Sequence, residues 1–170
     1  MFTADRTWSI KMSRGDDAQF PLYLNKGTNT EPRRYTFTPD DTEEQISFYI
    51  IPINSPFESY ILKKTYTSTG DIITSVLQED GSYEETTTHD NININELGDM
   101  VIKLFSEDTV NLKPGQYNYL IRGIIKTQNI DDSNFIIDPY TQYMDITLTN
   151  KLDFYLLDDG FNRSWENEQE

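Results

Sequence analysis

The chain contains no cysteine and a single histidine. Without thiols it has neither disulfide staples nor thiolate metal sites. One imidazole, His89 in "TTTHDNIN", cannot anchor an ordinary zinc site, and no serine stands ready to form a triad with it. His89 reads as a solvated residue of a polar connection. Basic residues are also scarce, 14 Lys and Arg against 29 Asp and Glu, for a formal net charge of −15. Phosphate binding needs a clustered basic surface, so nucleic acid is excluded as a partner. No run approaches the ~18 apolar residues of a membrane-spanning helix. The opening "MFTADRTWSI" lacks the basic region and apolar stretch of a signal peptide. Sustained helical periodicity is missing too. Only "INELG" (Ile94 to Gly98) and "SEDTVNL" (Ser106 to Leu112) offer single helical turns.

What remains is rich in aromatic and alternating segments. Eleven Tyr and nine Phe among 170 residues favour sheet over bundle, and the length suits one domain with a real core. In "TWSIKM" the residues Trp8, Ile10 and Met12 point one way, and in "AQFPLYLN" Ala18, Phe20, Leu22 and Leu24 share a face. Pro21 cannot donate to a ladder, which places that strand at an edge or a bulge. "QISFYIIPI" is dense and β-branched, as a central strand should be. "YILKKTYT", "DIITSVL" and "YEETTT" follow, the last two flanking the hairpin signal "QEDGS". "MVIKLFS", "YNYLIRGIIK", "FIID", "YMDITLT" and "KLDFYLL" continue the series. Many short strands joined by Asn, Asp, Gly and Thr turns predict an all-β fold, an immunoglobulin-like antiparallel β-sandwich with an acidic C-terminal tail. The expected organisation is an N-terminal arm over residues 1–6, a sandwich over 7–157 and an acidic tail or partner-binding arm over 158–170.

Arg14-Gly15-Asp16 spells an integrin-binding tripeptide, but it lies between two alternating runs and is followed by Asp17. It reads as a turn in which Gly15 supplies positive φ and the Asp side chains bond back to nearby amides. Carboxylate doublets such as Asp16/Asp17, Glu84/Glu85 and Asp158/Asp159 are sequence neighbours, and glycosidase chemistry needs two acids facing each other across a cleft. Calcium is a minority alternative for "NIDDSN" and "LDDGFN", neither of which has EF-hand spacing. Tyrosine rows, Tyr60/Tyr66 and Tyr117/Tyr119, are spaced to share faces suited to stacking on sugars, although core packing explains them equally. No catalytic, cofactor or metal residues are assigned, and no enzyme is expected. In "SEDTVNLKPGQYNYLI" the pair Gly115 and Tyr117 matches a tyrosine corner, whose hydroxyl bonds the backbone upstream.

The order of these pieces resembles a family of bacteriophage virion proteins, the immunoglobulin-like N-terminal domain of baseplate and tail proteins that includes baseplate upper proteins. The likeness rests on "IKMSRGDDAQFPLYL", "ISFYIIPI", "LKKTYT", "EDTVNLKPGQYNYLIRG" and "YMDITLT", spread over most of residues 7–149. It implies an inserted hairpin and loop at about 67–98. It also implies a non-enzymatic structural component of a phage virion, made in the host bacterial cytoplasm. Such a component assembles with other tail, baseplate, collar or capsid subunits, as a homo-oligomer or symmetric array and without nucleic acid or membrane. The likeness ends about twenty residues before the chain does, where family members often continue into a long extension. A free-standing module is therefore expected, with adaptor, collar and capsid-decoration roles all open. Charge is uneven. Residues 1–34 hold six Lys and Arg against four acids (+2), and residues 35–170 hold eight against 25 (−17). The expected contact segments are the arm Met1–Arg6, the "EPRRYTF" loop with Arg33 and Arg34, and the tail with Phe161 and Trp165. The alternative is a carbohydrate- or cell-surface-binding sandwich, which requires an exposed aromatic row or a calcium cluster.

Overall fold

A computed structural model describes residues 3–4, 9–27, 32–38, 43–90, 94, 98–126 and 143–158. Thirteen strands and almost no helix build an all-β sandwich. The denser layer is an eight-stranded sheet in the order β2 (Ile10–Ser13), β13 (Leu152–Leu157), β11 (Gly115–Lys126), β6 (Gln45–Ile51), β7 (Leu62–Thr67), β8 (Asp71–Leu77), β9 (Tyr83–His89). The eighth strand, β12 (Tyr143–Thr147), pairs with β11. β11 is long enough to hold two neighbours on one side, β13 along Gly115–Tyr119 and β12 along Arg122–Lys126, with β6 on its other side. The continuous apolar run of β6 puts it mid-sheet, with every residue after Gln45 buried. All pairings are antiparallel save one: β2 enters beside β13 in parallel, Ile10 opposite Phe154.

The facing layer consists of two small sheets. β3 (Ala18–Leu22) pairs with β10 (Met100–Leu104), and β4 (Leu24–Gly27) lies between β1 (Thr3–Ala4) and β5 (Pro32–Tyr35). The segment "AQFPLYLN" is therefore two strands. The break falls at Tyr23, and the chain changes partners there without changing the face it buries. Leu22 and Leu24 are both buried, and Pro21 sits in a strand paired only with β10.

Between the layers lies one apolar cluster. Leu22, Leu24, Met100, Ile102 and Leu104 on one side meet Phe48, Leu62, Tyr66, Tyr119 and Phe154 on the other. Phe48 stacks on Tyr119 at 5.5 Å and takes Phe20 and Phe154 edge-on at 6.2 and 6.4 Å. Burying rings of this size supplies about 1.5–3 kcal/mol each before ordering costs. The expected sugar-stacking rows dissolve here. Tyr66 and Tyr119 are core residues, Tyr117 packs on the same core, and Tyr60 precedes β7 on the opposite face of the sheet.

The buried polar side chains among the described residues have hydrogen-bond partners. Glu44 accepts from the Tyr35 hydroxyl, from the Thr38 amide at 3.1 Å and from Lys126 Nζ at 3.3 Å. Tyr66 donates to the Lys103 carbonyl at 2.5 Å and accepts the Lys103 amide at 3.1 Å, tying β7 to β10 across the core. Burial pushes the Tyr66 phenol well above its ordinary 10.0.

Candidate functional site

The turn at Arg14-Gly15-Asp16 carries the chain from β2 in the large sheet to β3 in the facing layer. Gly15 has φ +83°, and the Asp16 amide donates to the Ser13 carbonyl at 3.1 Å. The turn is fastened on three sides. The Arg14 amide donates to Leu157 at 2.9 Å while its guanidinium meets Asp158 at 3.2 Å. The Gly15 amide donates to Thr109 Oγ1 at 2.9 Å, and Asp17 accepts the Ser106 amide at 2.7 Å. Each member of the tripeptide is thus bonded within the domain or beside such a bond.

The Gly15 and Asp17 bonds meet α1 (Ser106–Thr109), the single helical turn within "SEDTVNL". Asp108 accepts the Phe105 amide at 2.7 Å, closing the first turn in capping fashion, and its Oδ2 receives Lys64 Nζ at 2.5 Å. Lys64 is fully buried, with its ammonium 4.2 Å from the Phe105 ring centroid. Burial pulls Lys64 below its usual range and pushes Asp108 above its own, each partner opposing the other's shift. A charged cross-link therefore holds β7, α1 and the Gly15 turn as one unit. A few residues on, the Tyr117 hydroxyl donates to the Lys113 carbonyl four positions upstream, the bond of a tyrosine corner. Gly115, with φ +153°, begins β11.

Beyond α1 the large sheet runs past its cover. β8 and β9 form the hairpin around Gln78–Ser82, where Gly81 has φ +87° and Asp80 accepts from the Ser82 amide at 2.9 Å. These two strands lie in the stretch expected as an insertion at about 67–98. Every residue of β9 is exposed. Among the described residues β9 pairs as a strand with β8 alone, which makes it the edge of the sheet. Its inner face and α1 enclose a groove of about 950 Å³, floored by Thr74, Val76, Thr86 and Thr88 and rimmed by Glu84 and Glu107. Among the described residues no basic side chain lines it. His89 ends this strand rather than lying in a loop, with Nδ1 3.0 Å from Asp71.

On the outer face an aromatic row was missed in the sequence because its members come from three separate segments. Phe57 and Tyr60 flank Tyr49, both at 5.5 Å, and Tyr83 lies 4.6 Å from Tyr60 and donates to its carbonyl at 2.9 Å. Arg122 covers Phe57 at 4.3 Å and Lys63 approaches Tyr49 at 5.4 Å.

The expected contact residues have varied places. Arg34 is engaged internally: Nε donates to the buried Asp99 at 2.9 Å, and the guanidinium lies 4.3 Å over the Tyr23 ring. Arg33 has its backbone in β5, opposite Lys26. Phe161 and Trp165, "FIID" and "NIDDSN" lie outside the described residues, as does most of the arm Met1–Arg6. Glu84 and Glu85 point to opposite faces of β9, so that doublet does not converge. Among the described residues no three His, Asp or Glu side chains gather as a metal-ligand set, and no helix is long and apolar enough to cross a membrane. No family model, curated protein or solved structure matches this chain.

Proposed function

We propose that the chain is a non-enzymatic structural component of a bacteriophage virion, a sandwich module that associates with other tail, baseplate, collar or capsid subunits. The observation that carries this is the open edge β9, seven exposed residues long and attached to a rigid core. An unpaired strand edge offers main-chain hydrogen bonds to a neighbouring subunit, and symmetry multiplies modest interfaces of this kind. The order of motifs from "IKMSRGDDAQFPLYL" to "YMDITLT" supports the phage assignment, and the tyrosine-corner bond of Tyr117 supports the immunoglobulin-like description. The acidic, Thr-rich surface keeps a free subunit soluble before assembly.

Peptide mass spectrometry and immunogold labelling of purified particles test this reading. Label at the tail tip or collar supports an adaptor, and label over the head supports a decoration protein. Absence of both label and peptides from intact particles refutes the proposal.

The aromatic row favours a second reading, a carbohydrate-binding module. Sugar stacking needs exposed ring faces, and cations cover Phe57 and Tyr49, which leaves the Tyr60–Tyr83 pair. Glycan-array binding that is lost in both Y60A and Y83A would establish it.

A further inference from the structure

The segment Tyr83-Glu84-Glu85-Thr86-Thr87-Thr88-His89 places two carboxylates ahead of three threonines. Backbone rungs at Gln78–Ser82 and Gly70–Asp90, 2.7 and 2.8 Å, fix which way each residue's amide and carbonyl point. Glu84, Thr86 and Thr88 turn theirs toward β8, while Tyr83, Glu85 and Thr87 turn theirs outward. A strand added antiparallel to this edge must use those outward groups.

A second copy of β9 can do so about a two-fold axis perpendicular to the sheet, which keeps like faces together. The three registers centred on Glu85, Thr86 and Thr87 give the longest overlaps. An axis at Glu85 sets that carboxylate against its own copy, and like charges directly opposed are destabilising. An axis at Thr87 shortens the overlap and opposes Glu84 to Asp90. An axis at Thr86 keeps the whole strand paired and opposes Glu85 to Thr87 and Glu84 to Thr88. In that register the two Glu85 residues are offset by two positions, about 7 Å along the strand, close to the roughly 8 Å screening length at physiological salt. The overhang leaves room beside β9, because the facing layer does not extend over it and all its side chains are exposed.

We infer that β9 is a self-association edge: a second copy adds its own β9 antiparallel about a two-fold axis at Thr86, merging two large sheets and two grooves into one. The residue order within β9 supports this choice of occupant, since about Thr86 the outward rungs pair and no carboxylate faces another. The inference does not rest on the virion reading, because it concerns the isolated chain in solution, and particle labelling tests that reading separately.

Sedimentation of the full chain at about 0.1 mM, in about 0.5 M NaCl to suppress long-range repulsion, should show a dimer. Thr87→Pro removes only an outward-facing amide, which an edge strand tolerates. It should weaken dimerisation about tenfold or more, through one lost donor on each copy, with an unchanged circular dichroism spectrum. The absence of native cysteine permits a second test. Thr86 faces itself at a non-hydrogen-bonded pair, with Cα atoms about 4.5 Å apart, within disulfide reach. Thr86→Cys should therefore oxidise to a covalent dimer. Thr88→Cys, offset by four positions or about 13 Å, should not. A monomer throughout, a dimer indifferent to Thr87→Pro, or equal cross-linking at 86 and 88 would overturn the inference.

Discussion

Removing the Asp108 carboxylate should be among the most damaging single changes in this domain. Asp108→Ala leaves the Lys64 ammonium in a site with no solvent access, after losing its 2.5 Å partner. Breaking a buried ion pair by deleting one member costs about 3–5 kcal/mol, because the survivor keeps its desolvation penalty. The Phe105 amide also loses its acceptor at 2.7 Å, a capping loss of about 1 kcal/mol. A total of about 4–6 kcal/mol is a large part of the roughly 5–15 kcal/mol available to a domain. At about 2–4 °C per kcal/mol for this size, the midpoint should fall on the order of 10 °C. The companion variant K64M/D108A removes both charges and fills the Lys64 volume with an apolar chain. It should recover at least about 2 kcal/mol over D108A, since hydrophobic replacement of a buried pair is often neutral or better. Urea denaturation followed by circular dichroism on wild type, both single variants and the double variant measures the cycle. An Asp108→Ala cost below about 1 kcal/mol, or a double variant no more stable than D108A, would refute the idea that a desolvated charge governs this node.

Other expected outcomes follow from single contacts. Tyr66 has a folded pKa well above 10.0, so its contribution is fully present below the unfolded value and is lost as pH rises beyond it. Stability should decline above about pH 10 by up to roughly 1.4 kcal/mol per pH unit, and Tyr66→Phe should flatten that slope in denaturation series at pH 9, 10 and 11. Gly98 and Gly81 both hold positive φ, but a Cβ on Gly98 would lie 2.9 Å from the Phe37 carbonyl oxygen, whereas Gly81 faces open space. Gly81→Ala should cost about 1–2 kcal/mol of conformational strain and Gly98→Ala clearly more, which thermal melts of the two can rank. Tyr117→Phe deletes the bond to the Lys113 carbonyl and should cost about 1 kcal/mol, read from the urea midpoint.

Strand positions were legible because period-2 alternation and turn residues are local signals. "DIITSVL", "QEDGS" and "YEETTT" became β8, a Gly81 turn and β9, and "KLDFYLL" became β13. Partner changes were not legible. Nothing in "AQFPLYLN" marks Tyr23 as the point where the chain leaves β10 for β5, because the buried face continues unbroken through Leu22 and Leu24. The buried pair was hidden for a similar reason. In "YILKKTYT" the two lysines look equivalent, yet alternation sends Lys63 outward over Tyr49 and Lys64 into the core. A Lys on the same parity as Leu62 and Tyr66 was the available signal. Arg34 showed the limit of charge counting, since its partner Asp99 is 65 positions away.

The open edge was the least legible feature, and energetics explain why it stands apart. β9 contributes nothing to the apolar core, so ordering its backbone, at about 1–2 kcal/mol per residue, is offset by the ladder to β8, the Asp80–Ser82 turn, the His89–Asp71 pair and the Tyr60–Tyr83 contact. Local opening of such a unit should cost less than unfolding β6, whose residues after Gln45 are buried on both faces. An added strand on the outer edge would hold both flanks of β9 and raise its protection selectively. The amides of Tyr83, Glu85 and Thr87 point outward, so they exchange freely in an isolated subunit and slow only when something pairs with them. Concentration-dependent protection of these amides would identify self-association at this edge. Protection appearing only inside an assembled particle would instead make a different subunit the occupant.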